Sequence, residues 1–159
     1  MSTRTLPAPM PVRSLFGDLV GKDVDVSPGE PVTGTACVAV YVTDRVQMAG
    51  LALLDLPLAA YVGGALALLP AGGVADMVDD KQLSELVLEN VQEVANVLAG
   101  LFNHAGASHV KLYQVHAPGD PLPADVRAAA TDLVRRLDLT VAIKGYGTGS
   151  LSLVLTGDS

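Results

Sequence analysis

Apolar and polar positions recur along this chain with two different periods, and the switches between them mark its elements. Val12, Leu15, Phe16, Leu19 and Val20 fall at helical spacing and stop at Gly21, which predicts a short amphipathic helix. Val24 and Val26 then alternate with Asp23, Asp25 and Ser27, predicting a half-exposed strand closed by Pro28-Gly29. The apolar, β-branched runs Thr35 to Thr43 and Val46 to Leu54 predict two strands paired as a hairpin through Asp44-Arg45. Asp55 is a natural helix N-cap, and Pro57 sits in the first turn, where its missing N–H costs nothing. The helix so capped runs from Leu56 to Leu69 and ends at Pro70-Ala71-Gly72-Gly73. Asp79-Asp80 open the longest predicted helix, which reaches about His104. Beyond it the pattern predicts a strand over Val110 to Val115, a Pro- and Gly-rich loop over Ala117 to Pro123, and a helix over Ala124 to Leu137. Two strands, Thr140 to Lys144 and Ser150 to Leu155, close the chain through a glycine-rich turn at Gly145 to Gly149. Residues 1–11, broken by Pro7, Pro9 and Pro11, read as a flexible tail, and 12–159 as a single domain. Hairpins interleaved with helices predict an α+β architecture: two layers, a mainly antiparallel sheet packed against helices.

The long helix carries the most informative pattern. Leu83, Leu86, Val87, Val91, Val94, Leu98, Leu101 and Phe102 form one stripe, expected to face the core. The other side carries Glu85, Glu89, Gln92, Glu93, Asn96 and Asn103. Glu93 and Asn96 are three apart and therefore neighbours on the ridge, with only Ala95, Ala99 and Gly100 for bulk around them. Helix periodicity alone accounts for such a ridge as a solvated face. Asn96 is the exception, because an asparagine side chain competes for backbone hydrogen bonds and weakens a helix interior.

Composition narrows the function classes. Half of the 159 residues are hydrophobic but only 4% are aromatic and none is Trp, so the core is built from Val, Leu and Ala. With 10 Lys+Arg against 17 Asp+Glu the net charge is -7, and no basic cluster exists to neutralise nucleic-acid phosphates or anionic lipid. Arg135-Arg136, the densest basic feature, falls in a predicted helix beside Asp132 and Asp138. Cys37 stands alone and reads as a core residue, and His104, His109 and His116 are spaced irregularly, so no metal site is expected. The apolar stretch from Val46 to Ala75 has the length of a membrane span, but Asp55, Pro57 and two Gly-Gly pairs interrupt it. No signal-peptide pattern is visible, and a cytoplasmic location is expected. The Gly145/Gly147/Gly149 cluster links two strands and opens no helix, which makes it a hairpin turn rather than a nucleotide loop.

The run Glu89-Asn90-Val91-Gln92-Glu93-Val94-Ala95-Asn96 resembles the signature helix of the CheC/CheX chemotaxis phosphatase family, in which Glu-x-x-Asn follows a Ser or Asp and precedes a distant Pro. Glu93-x-x-Asn96 matches; Gly100 and Pro118 fit the pattern after it, whereas Glu89 stands where the family has Ser or Asp. The resemblance spans about Val38 to Leu155, and the helix at Ala124 to Leu137 departs from it, standing where CheX has more strand. It implies a CheC-like fold and a phosphatase of the aspartyl phosphate on a CheY-type response regulator. Asn96 would orient the attacking water, and Glu93 would pair with the regulator's active-site lysine. Glu89, Gln92 and Gly100 would contact the partner. The chain would need no cofactor of its own, the Mg²⁺ coming with the regulator. The alternative is a non-catalytic module of the same fold that docks a receiver domain or a flagellar-switch-type partner. The resemblance also points to a homodimer, and the apolar run Thr35 to Thr43 is a candidate unpaired edge for it.

Overall fold

The computed structural model describes residues 4–104, 107–133 and 135–156. Six strands form one sheet in the order β1-β5-β6-β3-β2-β4, every neighbouring pair antiparallel: β1 Val24–Pro28, β2 Ala36–Thr43, β3 Met48–Asp55, β4 Val110–His116, β5 Arg136–Ile143 and β6 Gly147–Leu155. Helices α1 (Pro9–Val20), α2 (Leu56–Leu66), α3 (Ala71–Asp80) and α4 (Glu85–Leu98) belong to one side, which we call the front. The short α5 (Ala124–Ala130) lies against the other, the back. This is the expected α+β arrangement of helices on an antiparallel sheet.

Alternation along each strand divides the core in two. Cys37, Ala39 and Tyr41 of β2, Ala52 and Leu54 of β3, and Leu151 and Leu153 of β6 enter the front cluster with α1, α2 and α4. Val38, Val40, Val42, Leu51, Leu53 and Val154 form the smaller back cluster, closed by Val32 and Val126. The front layer is tight because glycine lets elements approach. A Cβ on Gly63 would lie 2.8 Å from the Val87 carbonyl oxygen, and one on Gly149 would lie 2.6 Å from the Leu58 backbone nitrogen.

Several expected boundaries move, each for a local reason. Asp55 caps α2 as expected, accepting from the Leu58 N–H at 2.9 Å with Pro57 in the first turn. The long helix expected from Asp79 to about His104 starts later, at Glu85, and ends at Leu98. A separate helix, α3, absorbs Gly72-Gly73, expected as a stop, and ends at Asp80, where Lys81 turns left-handed with φ 55°. Asp79 and Asp80 thus sit at a helix C-terminus, the end that disfavours anions, and neither caps α4. Ser84 does, accepting from Val87 N–H at 3.3 Å. The helix expected to reach Leu137 stops at Ala130, and Arg136 opens β5. There Leu137, Leu139, Val141 and Ile143 alternate with period two, and the Arg136 side chain closes the turn on Asp138 at 2.9 Å and on the Asp132 carbonyl at 2.7 Å.

Thr35 to Thr43, expected as a candidate edge, is interior: β2 lies between β3 and β4, and the edges are β1 and β4. The outer side of β4 is met at its start by Asn103. Its carboxamide accepts from Val110 N–H at 2.8 Å and donates to the Val110 carbonyl at 3.0 Å. Residues 9–11 of the expected tail belong to α1, and Arg4 is only 2% exposed. The Arg4 guanidinium donates to the carbonyls of Phe102 and Ser108, both at 2.6 Å, just beyond α4. Burial pulls its pKa down. No helix among the described residues is long and apolar enough to cross a membrane.

Candidate functional site

The ridge begins with how α4 is held. Val87, Val91, Val94, Ala95 and Leu98 are buried, so the apolar stripe faces the core as expected, except that Leu86 is 47% exposed. Asn90 donates to the Gly63 carbonyl at 2.9 Å and fixes α4 along α2. At its end α4 tightens into a single 3-10 turn, Ala99–Leu101, and the Ala99 N–H turns to the carbonyls of Asn96 and Val97. The Ala95 carbonyl is taken instead by the Tyr41 hydroxyl at 2.6 Å, from β2 beneath the helix. Tyr41 also packs its ring 4.9 Å from that of Phe102. Burial pushes the Tyr41 phenol up, so it stays a donor.

On this scaffold Glu89, Gln92, Glu93, Asn96 and Gly100 are all exposed, the distribution the sequence predicts. Among the described residues the Glu93 and Asn96 side chains make no hydrogen bond or ion pair, so both are free to meet a partner. Neighbours three apart on a helix have Cβ atoms roughly 5–6 Å from each other. A carboxylate and a carboxamide thus share one exposed helix edge. The predicted ridge loses one member, because Asn103 turns back to Val110 rather than to solvent.

Other sequence candidates are dispersed or structural. Among the described residues no group of three His, Cys, Asp or Glu could hold a metal ion. Cys37 is buried in the front core, where desolvation and then the Asp120 charge push its thiol up to about 12. Gly145, with φ 88°, forms the expected turn, while Gly147 and Gly149 lie within β6. Sequence reasoning passed over Tyr41 and Asn90. The signal for Tyr41 was present: a lone hydroxyl in an apolar, alternating strand must find a partner when buried.

No family model matches the chain, and no curated protein matches it. Solved structures do. The FliM middle domain from H. pylori superposes with a TM-score of 0.61 at 8% identity, covering 92% of this chain and 84% of that one. CheX in the CheX-CheY-BeF3-Mg²⁺ complex from Borrelia burgdorferi gives 0.58 at 14% identity, covering 91% and 92%. Thermotoga maritima FliY gives 0.56 at 12% identity, covering 92% and 82%. The chain has the CheC/CheX fold. In this CheX-like fold the front layer carries α4, and α4 carries the Glu93/Asn96 edge. At such identities it is the fold that is shared.

Proposed function

We propose that this CheX-like chain docks the α4 ridge on a CheY-type receiver domain and speeds loss of its aspartyl phosphate. The observation that carries the reading is that Glu93 and Asn96 are exposed side by side, unbonded among the described residues, on a helix pinned at Asn90 and Ala95. Hydrolysis of an acyl phosphate requires a water in line with the P–O bond to the aspartate. As the water oxygen bonds to phosphorus, that bond breaks, the carboxylate is regenerated and inorganic phosphate leaves. Little covalent help is needed, because positioning and charge stabilisation dominate phosphoryl transfer. A carboxamide suits the positioning role: Asn96 can accept a hydrogen bond from the water at Oδ1 and donate one through Nδ2 without titrating. Glu93, an anion at the same edge, would pair with a cationic side chain of the receiver and set the angle of approach. The receiver's own Mg²⁺ would neutralise phosphoryl charge, and the chain would supply no metal.

The lifetime of a phosphorylated receiver, with and without the protein, tests this directly. Faster decay is expected, with Asn96→Ala losing roughly a hundredfold of the acceleration, the scale of a misplaced reactant. Glu93→Ala should weaken docking and rate together. Glu89, where the family pattern has Ser or Asp, favours a second reading: docking without hydrolysis, to a receiver or to a switch component. FliM, which shares the fold, has been solved in complex with FliG and with SpeE. Binding without faster decay would select that reading; neither binding nor decay, across several receivers, would refute both. A cytoplasmic location and a homodimer go with the proposal, and a strand-mediated dimer would use β1 or β4 rather than β2.

A further inference from the structure

A second candidate site lies on the back of the sheet, and it begins with two irregularities of pairing. In β4, Val110 and Leu112 face the front core, so strict alternation would send His116 forward too. The register slips instead: Leu112 pairs with Tyr41 and Gln114 with Val40, leaving Tyr113 as an extra residue. Val115 therefore takes the front position and His116 turns to the back. A matching slip between β2 and β3 pairs Val42 with Met48 and swings Met48 to the same side.

Between these slips is a recess of about 260 Å³, bounded by β2, β4, the β2–β3 turn and the start of α5. Its floor is apolar, made by Val40, Val42, Met48 and Val126. His116 lines it and is only 7% exposed, yet among the described residues its imidazole has no hydrogen-bond partner. Its ring nitrogens are not among the buried atoms left without a partner, so they keep access to solvent through the recess and are available to a molecule that enters it. At the rim Val46 is held at φ 59°, a left-handed conformation that β-branched residues avoid. The tight β2–β3 turn sets that conformation, with Val46 N–H on the Thr43 carbonyl at 2.9 Å and Thr43 N–H on the Gln47 carbonyl at 2.9 Å. Asp125 is the one side chain of formal charge among the described lining residues, and a carboxylate there excludes anions.

We propose that this recess binds a small organic amine. The protonated nitrogen would pair with the Asp125 carboxylate, an N–H would donate to the His116 imidazole, and a compact apolar body would rest on Val40, Val42, Met48 and Val126. The site lies on the opposite face of the sheet from Glu93 and Asn96, so it stands or falls independently of the phosphatase reading.

The test is a methyl-detected NMR titration of the whole chain with phenethylamine and, in parallel, with 3-phenylpropionate, of similar shape and opposite charge. Saturable millimolar binding of the amine is expected, with shifts centred on the methyls of Val40, Val42, Met48 and Val126, and with a preference over the acid of about fivefold or more. Asp125→Asn should abolish that preference, and His116→Phe should weaken the amine by a similar factor. Asp125 is exposed, so its variant keeps the test valid if His116→Phe fails to fold. Equal binding of acid and amine, a preference unchanged in Asp125→Asn, or shifts scattered away from the recess would overturn the proposal.

Discussion

The two faces of the sheet are built from the same strands yet packed by opposite strategies. On the front, four helices press small residues and glycine against each other, and the buried strand side chains are apolar except for Tyr41, whose hydroxyl is spent on the Ala95 carbonyl. On the back, one helix of two turns covers a smaller cluster, and buried or half-buried polar groups collect there: His116, Ser152, Arg136 and Asp138. Some satisfy each other, as Ser152 donates to Asp138 at 2.6 Å and accepts from Val32 N–H at 2.9 Å. The difference teaches that a sheet need not be equally closed on both sides. The front fixes the position of the ridge, and the thin back layer leaves room for recesses.

Adjacent residues of β3 give the largest test of that contrast. Leu54 is fully buried on the front and Leu53 is 4% exposed on the back. Leu54→Ala should cost about 4–5 kcal/mol in urea unfolding and Leu53→Ala about 2–3 kcal/mol, because the tight front cannot collapse around the cavity. Equal costs would break the comparison. Gly63→Ala, which forces a methyl against the Val87 backbone, should cost about 1–3 kcal/mol. It should also slow any receiver dephosphorylation by displacing α4. Tyr41→Phe leaves the Ala95 carbonyl without its hydroxyl donor and should cost about 1–2 kcal/mol, with amide exchange near Asn96 rising in step.

The smallest effect is a pH dependence. A solvated thiol titrates near pH 9, and burial, then the Asp120 charge, raises the folded pKa of Cys37 to about 12. Above pH 9 the unfolded chain releases a proton that the folded chain keeps, so stability must fall with rising pH through that window. The Cys37 contribution between pH 9 and 10 is about 1 kcal/mol, read as the difference in slope between the native chain and Cys37→Ala. Below about pH 8 the two slopes should coincide.

Features dictated by short-range chemistry were legible in the sequence. Asp55 with Pro57 named a helix start, Gly21 a helix end, and the spacing of Glu93 and Asn96 their common exposure. Features set by competition between periods were not. Between Val126 and Leu137 the apolar positions fit a helix, while from Leu137 to Ile143 they fit a strand, and Arg136 decides where one yields to the other only through contacts made in three dimensions. The α3–α4 break was hidden because Gly72-Gly73 looks like a stop yet lies in a helix, and Lys81, where the chain does turn, carries no turn signal. Arg4, in a proline-broken leader, gave no hint that it would be buried on the Phe102 carbonyl. The slips that turn His116 and Met48 to the back are invisible by nature, since a bulge is a property of a pair of strands.

The carboxamide of Asn103 does for Val110 what another strand would do, giving one acceptor and one donor to the first rung of β4. An ionised carboxylate of the same size could fill only the acceptor role. Deamidation of Asn103 would keep an acceptor for the Val110 N–H but set a second anionic oxygen against the Val110 carbonyl, turning half of the bridge repulsive. That one chemical lesion would unlatch the first rung of β4, an edge strand, where unpaired backbone groups are a template for pairing with another chain.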